Sequence, residues 1–113
     1  MESMKKLLPF LTNEELDDLL KKVLASPSYI YKDVTLKDLL VFLPTKDIDE
    51  LYLNELKKGN DATYFLPFVS HETLKNIVEL YCNDKLEYKI DVYKLAPFLD
   101  QDDIKLLYNY FLR

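Results

Sequence analysis

A short phrase occurs four times along the chain, once in each quarter, and it restricts the fold more than any other property of the sequence. It reads Leu8-Pro9-Phe10-Leu11-Thr12 in the first copy, Leu66-Pro67-Phe68-Val69-Ser70 in the third and Ala96-Pro97-Phe98-Leu99-Asp100 in the fourth. The second copy, Leu40-Val41-Phe42-Leu43-Pro44, has valine in the proline slot and proline in the polar slot. The phenylalanines at 10, 42, 68 and 98 are spaced by 32, 26 and 30 residues, so the unit is about 30 residues long.

Positions that did not set this register agree with it. Seven residues before each phenylalanine stand Ser3, Thr35, Asp61 and Asp91, all side chains that cap helix N-termini. Each can accept from an unpaired first-turn amide, worth roughly 1 kcal/mol, so a short helix A is predicted to begin after each of them. Two residues after each phenylalanine stand Thr12, Pro44, Ser70 and Asp100, where a second helix B begins. Thr12 and Glu15 have capping-box spacing, and Thr45 is an alternative start in the second copy.

Every B segment carries an apolar stripe at helical spacing: Leu16, Leu19, Leu20, Val23, Leu24; Ile48, Leu51, Tyr52, Leu56; Leu74, Ile77, Val78, Tyr81, Cys82; Ile104, Leu107, Tyr108, Phe111, Leu112. Glu55 breaks the template. Acids crowd the early turns and bases the late ones, as the helix dipole favours. Stops fall at Ser26-Pro27, Gly59-Asn60 and Asn83-Asp84. Helix A is different, because a proline six residues beyond its cap loses a backbone bond and costs about 3 kcal/mol in a straight helix. It should be short, bent or ended near Pro9, Pro67 and Pro97, with the next phenylalanine turned inward as an anchor. The longer links, 26–33 and 83–89, leave room for brief strand.

One hairpin of this size cannot cover its own stripe, whereas stacked hairpins bury each against the next. The expected fold is all-α: four tandem αα-hairpins, at residues 3–26, 35–59, 61–83 and 91–113 of a single domain, stacked as a short α-solenoid or a compact right-handed helical array of about eight helices. A compact eight-helix globule is the alternative. The pattern resembles the generic αα-hairpin repeat class, HEAT-like in its short units. It lacks the landmarks of tetratricopeptide and ankyrin repeats, so the resemblance is to an architecture and carries over no functional residues.

Composition limits function by exclusion. The 113 residues hold 15 Lys and Arg against 20 Asp and Glu, a formal charge of −5, which is a poor field for nucleic acid. No apolar run approaches the roughly 18 residues a membrane span needs, and no secretory signal is legible, so a cytoplasmic address is expected. Cys82 is the only cysteine, which excludes an internal disulfide. The single glycine, Gly59, excludes a glycine-rich phosphate loop.

Three features are candidates for chemistry. His71 is the only histidine and follows the cap Ser70; with no second imidazole or neighbouring thiolate in the sequence it reads as an exposed first-turn residue. Cys82 sits in a core slot and reads as a small buried hydrophobe. Asp100-Gln101-Asp102-Asp103 lacks the ligand order of a calcium loop and reads as a cap followed by first-turn acids. Six tyrosines outside the stripe, Tyr29, Tyr31, Tyr64, Tyr88, Tyr93 and Tyr110, are candidate contacts for a protein partner, since tyrosine offers large area and few rotors.

The sequence therefore predicts a non-catalytic interaction or scaffold module without cofactor or metal, whose protein partner has a basic or mixed surface. Homo-oligomers pairing through the terminal repeats are the alternative, because the last B helix ends in the apolar run Tyr108-Asn109-Tyr110-Phe111-Leu112. An enzyme using an acidic site is the third reading.

Overall fold

The sequence's caps and prolines act where they stand. A computed structural model of the chain describes residues 3–113. It is all-helical apart from one small hairpin, with α1 (Asn13–Leu24), α2 (Leu36–Leu40), α3 (Thr45–Lys57), α4 (His71–Cys82), α5 (Val92–Leu95) and α6 (Gln101–Leu112). Tight 3-10 segments cover Met4–Phe10, Pro27–Tyr29, Thr63–Phe68 and Ala96–Phe98. Counting α5 with the 3-10 turn that continues it, and leaving out the single turn at Pro27–Tyr29, about eight helices result. The backbone groups into two compact units, one ending at Pro44 and one spanning Thr45–Arg113.

The three copies with proline in the repeated phrase form 3-10 turns around it, while the second copy, where Val41 stands instead, forms the α-helical turn α2. The missing amide and the bulk of the ring fit the 3-10 geometry at the proline itself, whereas the segment before it is α-helical in the fourth copy as well, at Val92–Leu95. Thr12 and Glu15 form a reciprocal capping box, as do Thr35 and Asp38. Ser70 and Asp100 each accept from the amide three residues on, and the Asp61 and Asp91 carboxylates accept from the amides of Thr63 and Tyr93. Ser3 departs from the pattern: its hydroxyl donates to Asp33 instead of capping.

In the first unit α1 buries Leu16, Leu19, Leu20 and Val23 around α2's Leu36, Leu39 and Leu40. The link between them forms the hairpin β1 (Ile30–Tyr31) and β2 (Val34–Thr35), antiparallel with Ile30 opposite Thr35. The inward phenylalanine anchor is corrected here. Phe10 is 81% exposed, and the buried residue of its turn is Leu8. A 3-10 turn repeats every three residues, so Leu8 and Phe10 cannot share a face.

In the second unit α3 buries Ile48, Tyr52 and Leu56 and packs on the Thr63–Phe68 turn through Phe65. Helices α4 and α6 lie side by side in the same direction: His71 meets Asp100 at their starts, and Tyr81 meets Tyr110 near their ends. Val78 of α4, Val92 of α5 and Leu107 of α6 share one buried cluster. The stops at Gly59 and Asp84 have positive φ, and the amides of Asn60 and Lys85 close the helix ends onto Glu55 and Leu80.

Candidate metal centre

The parallel packing of α4 and α6 joins two helix starts that are remote in sequence. His71 is the first residue of α4; Asp100 is the N-cap of α6 and Asp103 lies one turn inside it. The His71 Nε2 is 2.8 Å from Asp100 Oδ2 and 3.7 Å from Asp103 Oδ2. One donor atom from each of the three side chains falls within 4.8 Å of the others.

The three differ in surroundings. His71 and Asp100 are about half exposed, whereas the Asp103 side chain is 1% exposed. Neither Asp103 oxygen has a hydrogen-bond partner among the described residues. Burial first, and then the charge of Asp100, push the Asp103 carboxyl above the usual carboxylate range, against a smaller opposing pull from His71 and Lys75. Asp100 is held below that range, chiefly because it accepts the Asp103 amide at 2.9 Å. A buried carboxylate without a donor is expensive to keep, and such expense is concentrated at functional sites.

The donor set is one imidazole nitrogen and two carboxylate oxygens, a mixture suited to first-row divalent ions. Bonds of about 2.0–2.1 Å in a tetrahedral site put donors roughly 3.3 Å apart. The two His71 contacts, at 2.8 Å and 3.7 Å, bracket that spacing, and the three donor atoms, which lie within 4.8 Å of one another, would draw closer to share one ion. Two helix N-termini oppose a cation with their partial positive charge; the two formal carboxylate charges outweigh them. An ion held by these three side chains, two of which face solvent, would keep at least one coordination position for water or substrate, as catalytic zinc sites do.

This cluster overturns the non-catalytic interaction module and the prediction that the chain is not an enzyme. The sequence shows His71 alone on an exposed turn and the Asp100–Asp103 acids as dipole partners; both placements are correct locally. The packing of two parallel helices brings them together, and it buries Asp103, which the stripe of α6 had left outside. Ser70 precedes His71 and suggests a serine–histidine–aspartate arrangement, but its hydroxyl donates to Asp49 at 2.6 Å and accepts from the Thr73 amide. Ser70 is committed to capping.

The six tyrosines are divided between the units. Tyr29 immediately precedes the first unit's hairpin, at positive φ, and Tyr31 lies in β1 opposite Val34. Tyr64 is half-buried against Phe65, and burial raises the pKa of half-buried Tyr88. Tyr110 donates to Asp84 at 2.7 Å and shares a shallow cavity with Tyr88, while exposed Tyr93 stacks on Phe111. Cys82 is half-buried, its thiol 3.7 Å from the Leu106 carbonyl and pushed up by burial. No helix among the described residues is long and apolar enough to cross a membrane. No family model, curated protein or solved structure matches the chain.

Proposed function

We propose that the second unit binds one divalent first-row cation through His71, Asp100 and Asp103, and that the ion serves an enzyme's chemistry at this acidic site. The buried Asp103 carboxylate supports this reading most directly: neither oxygen has a hydrogen-bond partner among the described residues, and they lie beside an imidazole and a second carboxylate. A cation would add to the counter-charge that His71 and Lys75 supply only in part. The open position gives the ion room to polarise a substrate oxygen or to lower the pKa of a water, the two commonest uses of a Lewis-acid ion.

Titration calorimetry with Zn2+, Mn2+ and Mg2+ tests it. One equivalent of Zn2+ or Mn2+ should bind the wild type more tightly than Mg2+, and Asp103→Asn should bind at least tenfold more weakly. Equal binding by both proteins overturns the proposal. Turnover of activated esters that requires the ion and disappears in Asp103→Asn supports the catalytic part.

We further read the four segments as copies of one αα-hairpin. What supports this is the shared phrase, the cap residues at matching positions and the parallel course of α4 and α6. On this reading His71 and Asp100 meet because each stands at the start of its own B helix, His71 as first residue and Asp100 as cap, and one repeat step sets those starts side by side.

A further inference from the structure

We infer that Asp49, on α3, is a positioning residue for the cation centre and acts on His71 through Ser70. The inference rests on the proposal that His71, Asp100 and Asp103 are the ligands. Asp49 reaches across 21 residues of sequence to Ser70, and both its oxygens are used there: Oδ1 accepts the Ser70 amide at 2.8 Å and Oδ2 accepts the Ser70 hydroxyl at 2.6 Å. The same hydroxyl accepts the Thr73 amide at 3.2 Å, which begins the hydrogen-bonded frame of α4. His71 is the next residue after Ser70.

A ligand on the first residue of a helix is only as fixed as the helix start, where backbone donors have no intrahelical partner and the turn frays. Here the start is clamped from outside. A two-point bond to Ser70 fixes both the position and the direction of the first turn of α4, and thereby the reach of His71 toward Asp100. The opposite ligand helix has its own clamp, since Asp100 caps α6 through the Asp103 amide at 2.9 Å. Asp49 gives α4 what α6 already has: a carboxylate that locks the turn carrying a ligand. The centre is thus assembled from three helices, although its ligands come from two.

Outer partners that orient a metal-binding histidine typically change affinity by 10–100-fold when removed. Co2+ is the probe, because its visible spectrum reports ligand set and geometry as well as binding. Because Asp49 acts on His71 only through Ser70, Asp49→Ala is expected to bind Co2+ about tenfold more weakly than the wild type, the low end of that range, with an altered spectrum when saturated. Ser70→Ala keeps the amide bond to Asp49 and loses the hydroxyl, so it should fall between the two; it carries the test if Asp49→Ala does not fold. Asp49→Asn, which keeps one acceptor for the Ser70 amide, should recover part of the affinity. A folded Asp49→Ala or Ser70→Ala with lowered thermal stability but wild-type Co2+ affinity and spectrum shows a merely structural role and overturns the inference. If the wild type itself takes up no Co2+, the ligand assignment has failed first.

Discussion

Val78 of α4 and Tyr108 of α6 occupy the same position of two helices 30 residues apart, yet Val78 is fully buried and Tyr108 is 64% exposed. The face of α4 around Val78 is closed by Leu107 of α6 together with Val92 of α5, Ile90 and Leu99. The corresponding face of α6, with Phe111 48% and Leu112 66% exposed, remains open. Energetics should follow. Val78→Ala should destabilise the second unit by about 2 kcal/mol, from two lost methyl groups and an unfilled space. Tyr108→Ala should change stability by less than about 0.5 kcal/mol. Urea unfolding of the two variants beside the wild type checks both, and an equal cost would mean that the two positions are equivalent in packing too.

Asp103 should trade stability for binding. Without a cation its buried carboxylate has no hydrogen-bond donor among the described residues and lies beside Asp100, so Asp103→Asn removes a charge that His71 and Lys75 offset only in part. The variant should be more stable than the wild type by about 1–2 kcal/mol at neutral pH, seen as a thermal midpoint several degrees higher in the presence of a chelator. Addition of Zn2+ should narrow or reverse the order, raising the wild-type midpoint by more than the variant's. A variant less stable than the wild type in chelator would show that Asp103 is a structural partner.

The boundaries of the helices were legible because they are set by local chemistry. The Thr12–Glu15 capping box, the prolines and the Gly59 stop act within a few residues of themselves, so spacing alone reveals them. What spacing could not show is which face of a short turn is covered, and Phe10 with its 81% exposure is the clearest instance. The centre was hidden for a related reason. The slot of Asp103 holds an acid in three of the four copies, Glu15, Asp47 and Asp103, which is what a first helical turn favours whether or not a metal is involved. Only one of the three is buried, and that depends on α4 lying against it. Asp49 was likewise lost among the early-turn acids of α3, since its partner Ser70 is remote in sequence.

Gly59 should be required for its backbone and not for its size. Its φ is +79°, and a Cβ placed there would touch nothing within 4 Å. Gly59→Ala should therefore cost about 1 kcal/mol through the left-handed conformation alone, and Gly59→Asn less, because asparagine tolerates that region. Equal midpoints for the alanine variant and the wild type in thermal unfolding would contradict the assigned turn.

The first unit should contain an acid-sensitive contact at Asp38. Burial pushes its carboxyl up, but hydrogen bonds from Thr35, together with Lys5 at 3.3 Å, outweigh burial and hold it below the ordinary carboxylate value. The folded protein thus binds this proton less readily than the unfolded chain does. The contribution is fully present above the unfolded carboxyl value of 3.8 and is lost as pH falls through the lower, folded value. Asp38→Asn keeps an acceptor for the Thr35 amide but not the charge at the start of α2, a loss of roughly 0.3–1 kcal/mol. The gap between wild type and Asp38→Asn in urea midpoint should be constant from pH 7 down to about 5 and close on further acidification. Acid effects common to both proteins cancel in that difference, so a gap that persists at the acid end would show that Asp38 acts through its shape and not through its charge.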